Sequence, residues 1–225
     1  MTEVLRLDDP QSLTDLGRFA TRARSVDAEG AMRLQATGSV LAAWVGVLPG
    51  SGILAEGTVL GLRTFALAEP AELDVIVPLG AVTDRTARGA ASELAVPPTR
   101  AVAAWSAVTP PRGPWEPAGR LPGDLLAAVA RDGLAEVSDA VRERGAAAGL
   151  VRDRVWARDV REAAGPHPDL LDPEGGLLEV SAGVRAGGAF AAYALGFLAP
   201  RLAVQVFRSN RWTRLTAPGG HVLIR

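Results

Sequence analysis

The sequence predicts an α+β fold in two parts, and three observations carry that reading. Strand-like apolar runs recur between residues 31 and 80 with only short connections between them, which argues for antiparallel neighbours. A stretch dense in Pro and Gly, "TPPRGPWEPAGRLPG", interrupts the chain near its middle. Behind it stand a long amphipathic helix pattern and, at the end, three short strand patterns. The expected layout is an N-terminal α+β domain over 1–108, a connector over 109–121 and a C-terminal α+β domain over 122–225. The first should hold a four-stranded antiparallel meander with flanking helices. The second should pack helices on a small three-stranded antiparallel sheet.

The elements follow in order. Asp9-Pro10 reads as a helix start, an N-cap acid followed by Pro at the first helical position. Leu13, Leu16, Phe19 and Ala20 give that helix one apolar face, and it should fade near Ser25. "DAEG" at 27–30 is a turn. In "AMRLQAT", Met32, Leu34 and Ala36 alternate with Arg33, Gln35 and Thr37, which makes a strand with one wet face. Gly38-Ser39 should reverse the chain into "VLAAWVGVL", a strand apolar on both faces from Val40 to Leu48 and so expected to be central and covered. "TVLGLRTFAL" and "LDVIVPL" supply the third and fourth strands. "GAVTDRTARGAA" reads as a helix anchored by Val82.

Beyond the connector, Leu126, Val129, Ala130, Gly133, Leu134, Val137, Ala140 and Val141 recur at helical spacing. Asp124, Asp132, Glu136, Asp139 and Glu143 lie mainly on the other side. Gly145 should end this helix. "LVRDRVWARDV" fits either a helix or a strand, with helix the preferred reading, and "AAGPHPDLLDPEGG" is a loop by composition. "VRAGGAFAAYALGFL" should be a buried helix whose small residues admit close neighbours. "LAVQVF" and "RWTRLT" form a hairpin about Asn210, a residue that tolerates positive φ. Pro218-Gly219 then turns the chain into "HVLIR", with Val222 and Ile224 on one face and His221, Leu223 and Arg225 on the other.

Composition excludes several classes. Hydrophobic residues at 48% and charged residues at 22% fit a globular chain rather than a disordered one. A formal net charge of −1 gives no global attraction to nucleic acid or anionic membrane. The absence of Cys removes disulfides, thiol catalysis and thiolate metal sites. The acidic N-terminus has no basic-then-apolar signal pattern, and the longest apolar run, Ala186 to Pro200, is too short to span a bilayer, so a cytoplasmic protein is expected. All basic residues are Arg and Asn210 is the only Asn, a bias that high genomic GC content accounts for.

Chemical motifs are sparse. "PGSGILAEG" matches G-x-G-x-x-A at Gly50, Gly52 and Ala55. Too few residues follow before the next strand for the crossover helix a dinucleotide site needs, so the match reads as a turn and no cofactor is expected. His167 stands near Asp169, Asp172 and Glu174 in a Pro-rich stretch whose spacing matches no metal loop, so it reads as solvated loop and no metal is assigned. No nucleophile elbow or H-E-x-x-H motif occurs.

The C-terminal stretch "RSNRWTRLTAPGGHVLIR" is the sharpest local signal, because from residue 180 onward there are six arginines and no acid. Arg208, Arg211, Trp212, Arg214, His221 and Arg225 are the candidate anion-binding residues. The competing reading lays the acidic face of the helix from Asp124 to Glu143 against these arginines.

Four phrases, "VLGLRTFAL", "AAWSAVTPPRGPWEPAG", "AGGAFAAYALGFL" and "RWTRLTAPGGHVLIR", together resemble an uncharacterised family of hypothetical proteins from high-GC actinobacteria. The likeness runs over most of the chain and carries no activity, cofactor or functional residue with it. The leading functional expectation is a non-catalytic binding or scaffold module for a protein or small ligand. Two alternatives stay open: nucleic-acid or polyanion binding through the C-terminal Arg/Trp hairpin, and an enzyme of unknown class using His221.

Overall fold

The computed structural model describes residues 3–52, 54–88, 92–145, 148–171 and 183–225. The architecture is α+β with antiparallel sheets. The chain divides into two compact units, Met1–Val47 with Leu60–Thr109, and Leu48–Val59 with Pro110–Arg225.

In the first unit, β1 (Val4–Arg6) pairs antiparallel with β4 (Glu93–Ala95). Helix α1 (Pro10–Val26) starts where Asp9 accepts the Ser12 N–H at 2.8 Å, with Pro10 in its first turn. That hydrogen bond, with one from the Ser12 hydroxyl, holds the Asp9 carboxyl below its usual pKa. Leu13, Leu16, Phe19, Ala20 and Ala23 form the buried face. Helix α2 (Leu79–Arg88) buries Leu79 and Val82. It approaches α1 closely at Gly17, where a Cβ would stand 2.8 Å from Thr86 Oγ1.

The expected four-stranded meander is a ribbon of two long strands, β2 (Ala31–Leu48) and β3 (Val59–Pro78). Gly38 does not reverse the chain. It takes φ +56° within β2, and its N–H is received by Glu72 across the ribbon at 3.0 Å. A left-handed glycine inside a strand acts as a kink, not a turn. Likewise "AEPAE" continues β3 through a solvent-exposed stretch in which Pro70 is tolerated. Arg33 and Asp74 join the two strands by a bidentate pair, at 2.7 and 2.6 Å. Val40–Leu48 alternates rather than being uniformly buried. Leu41, Ala43, Val45 and Val47 are buried and Val40 is exposed. On the other face, Trp105 lies over Gly46 in the space a side chain would fill.

In the second unit, β5 (Glu116–Pro122), β6 (Ala203–Ser209), β7 (Trp212–Ala217) and β8 (Gly220–Ile224) lie side by side, each antiparallel to the next. The expected three-stranded sheet thus has a further strand, β5, inside the stretch read as connector. An edge position explains why its two prolines, Pro117 and Pro122, do not prevent pairing. The far side of β8 meets the start of β3, where the Gly57 and Arg225 N–H groups are received by the carbonyls of Arg225 and Thr58.

Helices α3 (Gly123–Arg144), α4 (Ala148–Ala157), α5 (Val160–Ala163), α6 (Pro168–Leu171) and α7 (Ala186–Ala194) complete the unit. Gly145 ends α3 at φ +53°, as expected. The run after His167, read as loop, contains the short helix α6, while 172–182 lies outside the described residues. Helix α7 is buried along almost its whole length and packs on α3, α4 and β8. Among the described residues, no helix is long and apolar enough to cross a membrane.

Candidate anion-binding face

The register of the C-terminal strands sorts the candidate residues by face. Opposed residues of neighbouring antiparallel strands point to the same side. Val204, Val206, Leu215, Val222 and Ile224 face the helices and are buried. The rows on the other face are Gln205–Thr216–His221 and Phe207–Arg214–Leu223. Trp212 and Arg225 belong to this face by alternation along β7 and β8.

Arg214 is the centre of this face. Its guanidinium carbon lies over two rings, 4.7 Å from the centre of Trp115 and 4.5 Å from that of Phe207. Its Nε is buried without a hydrogen-bond partner, and among the described residues it forms no ion pair. Burial lowers its pKa from the usual guanidinium value, yet an Arg stays charged at any physiological pH. Stacking uses the flat faces of the group and leaves the terminal Nη N–H fork, a geometry that receives carboxylates and phosphates. Arg225 lies over Trp212 at 5.9 Å, and its Nε is also buried without a partner. His221 is half-buried with Nδ1 3.1 Å from the Thr216 hydroxyl. Burial first, and then the charge of Arg214, push its pKa below the ordinary imidazole value.

The other two candidates are placed differently. Arg211 is exposed at the β6–β7 turn, beside Asn210 at φ +51°. Arg208 opposes Thr213 on the helix-facing side, beside Gly183, and is engaged there. Trp212 is only 5% exposed, so its ring is covered.

Four acids of α3 have partners elsewhere among the described residues. Asp124 accepts the Arg201 backbone N–H at 3.1 Å, and Asp132 meets His167 Nε2 at 2.6 Å. Glu136 takes both arms of Arg158, at 2.6 and 2.7 Å, and Asp139 takes Arg142. His167 is therefore held by a carboxylate rather than standing in a solvated loop. Of its acidic neighbours in sequence, Asp169 is exposed on α6, and Asp172 and Glu174 lie outside the described residues. Among the described residues, no group of three or more His, Asp or Glu side chains is placed to hold a metal ion.

The G-x-G-x-x-A match is the tip between β2 and β3. Ser51 and Glu56 exchange backbone hydrogen bonds at 2.9 and 3.0 Å across it, and among the described residues no helix begins there. Gly50 has no room for a side chain, since a Cβ would sit 2.2 Å from Thr58 Oγ1 and 2.4 Å from the Ala55 carbonyl oxygen.

Two residues that complete the face escaped sequence reasoning. Trp115 lies in the stretch read as connector. Phe207 was legible in principle, because a hairpin turning at Asn210–Arg211 sets Ser209 against Trp212 and hence Phe207 against Arg214.

Comparison with known proteins agrees with the two-part organisation. The family model described as "Domain of unknown function (DUF8010)" matches residues 1–107, and the one described as "Domain of unknown function (DUF8185)" matches 110–225. No curated protein matches the chain. Over its larger part, and with a DUF8010 domain ahead of it, the chain belongs to the DUF8185 family.

Proposed function

We propose that this chain is a non-catalytic binding module whose C-terminal sheet receives an exposed carboxylate cluster of a protein partner at Arg214. One observation carries the reading: Arg214 is held over Trp115 and Phe207 with no acidic partner among the described residues. The cost of partly desolvating the cation is met within the fold, and its donor fork is left for a ligand. Arg225 on the same face and Arg211 at the adjoining turn add positive charge around it. Nucleic acid is the weaker reading. Base stacking needs an open ring, and Trp212 is covered and engaged by Arg225. Catalysis by His221 is weaker still, since its ring nitrogen meets a hydroxyl and not an orienting carboxylate.

Fluorescence anisotropy with labelled hexaglutamate and with an oligothymidylate of similar charge tests this. The expected result is salt-sensitive hexaglutamate binding that weakens at least about fivefold in Arg214→Gln, corresponding to about 1 kcal/mol. Equal binding by wild type and variant, or tighter binding of the oligonucleotide, overturns the proposal.

A further inference from the structure

The second unit contains a cleft that the anion-binding face does not use. It has a volume of about 340 Å³, within the range of small-molecule sites. One wall is the β2–β3 tip, with Leu48, Pro49 and Val59. Trp156 of α4 also borders the cleft, with its ring buried and stacked on Phe190 at 4.7 Å. Part of the lining of the cleft is thus apolar and held in place by packing.

Its polar groups are few and unequal. Arg152 is paired with its neighbour Asp153 at 3.0 Å. Glu56 stands exposed at the rim. Arg185 has no such partner among the described residues. It is the N-cap residue of α7, and its side chain makes no capping hydrogen bond. The nearest acid in the backbone pairing, Asp159, spends its carboxylate on the N–H groups of Arg161 and Gly183, at 2.8 and 2.9 Å. The Arg185 guanidinium reaches across to the tip, with Nη1 3.5 Å from where a Cβ of Gly57 would stand. A Cβ at position 57 would make ordinary van der Waals contact with it, and it is the φ of +82° there that calls for glycine.

We infer that this cleft binds a small monocarboxylic acid with an apolar body, its carboxylate on the Arg185 fork and its body along the apolar lining at Leu48 and Pro49. Charge argues for a monoanion. With Arg152 and Asp153 neutralising each other, the described residues of the lining leave one cation, Arg185, and one acid, Glu56, so a second negative charge on the ligand finds no further cation there. The planar carboxylate matches the guanidinium fork, and the apolar lining recovers the hydrophobic part of the affinity. This inference is independent of the sheet face, because none of the cleft residues belongs to the Arg214 cluster.

The test is NMR titration of the full chain with 3-phenylpropionate, with its amide and 3-phenylpropylamine as uncharged and cationic comparisons. The expected result is saturable movement of the amide signals of Gly50, Ser51 and Gly57 and of the Trp156 indole signal with the acid alone. Arg185→Gln should weaken binding at least about tenfold, and Arg185→Lys, which keeps the charge but loses the fork, by less. The wild-type map stands even if a variant fails to fold. Signals that stay still at millimolar acid, equal response to the amide or amine, or unchanged affinity in a folded Arg185→Gln chain overturns the inference. Arg214→Gln should leave this titration unaltered, which separates failure here from failure of the sheet-face proposal.

Discussion

Gly133→Ala opposes two effects of known size, and the structure decides between them. Gly133 is buried in the middle of α3, where Ala is favoured over Gly by about 1 kcal/mol on helix propensity. The new Cβ, however, would lie 2.4 Å from Trp156 Cζ3, 2.7 Å from Cη2 and 3.1 Å from Val155 Cγ1. Relieving that overlap requires the ring to move by about 1 Å. The ring cannot swing like the end of a flexible chain, because Trp156 is 5% exposed and stacked on Phe190 at an interplanar angle of 17°. Overpacking costs about 1–3 kcal/mol and a disturbed ring pair about 0.5–1.5 kcal/mol, so the variant should lose roughly 1–2 kcal/mol net. Urea unfolding followed by near-UV circular dichroism measures this. When Gly133→Ala is combined with Trp156→Leu, the added cost of the new methyl group should vanish or reverse. A Gly133→Ala chain as stable as wild type or more so refutes the packing argument.

Other expectations follow from individual residues. His221 has a lowered pKa in the fold, so the unfolded chain binds more protons between that value and about 6.5, and stability must rise with pH across this window. Unfolding free energy should therefore fall on acidification from pH 7.5 toward pH 5 in wild type more than in His221→Gln, and identical pH profiles would count against the burial of the imidazole. Glu136 has its pKa lowered, chiefly by the hydrogen bonds from Arg158, so its contribution is present above the unfolded value of about 4.3 and is lost as pH falls through the lower folded value. Glu136→Gln should cost under about 1 kcal/mol at neutral pH, because the pair is partly exposed, and the difference from wild type should close in acid. Asn210 sits at φ +51°, so Asn210→Val should destabilise the chain by about 1–2 kcal/mol in thermal or urea unfolding while Asn210→Gly changes little.

Local features of the fold were legible because they rest on local chemistry. Asp9-Pro10 specified the start of α1, Gly145 the end of α3 and Asn210 the β6–β7 turn, each through the backbone conformation its side chain favours. The strand count was not legible. Gly38 and Pro70 carry turn signals, but cross-strand pairing carried the chain straight through both. Strand β5 was hidden because its Pro and Gly content describes a free connector equally well, and only the neighbour β6 decides between them. The same limit applied to the anion-binding face. Arginine enrichment after residue 180 was visible, yet Arg208 and Arg214 differ in environment because alternation puts them on opposite faces. The acids of α3 were visible too, but their partners Arg158, His167 and Arg201 lie on segments that only tertiary packing brings near.

The most direct test observes the Arg214 guanidinium itself. Its side-chain Nε–H signal in a nitrogen-15 spectrum can be assigned by its disappearance in Arg214→Gln, then followed during titration of the full chain with hexaglutamate. Saturable movement of that signal, in step with the bound fraction measured by anisotropy, is the result this account requires. A signal that stays fixed while the peptide binds elsewhere would place the recognition of acidic partners outside the sheet and contradict it.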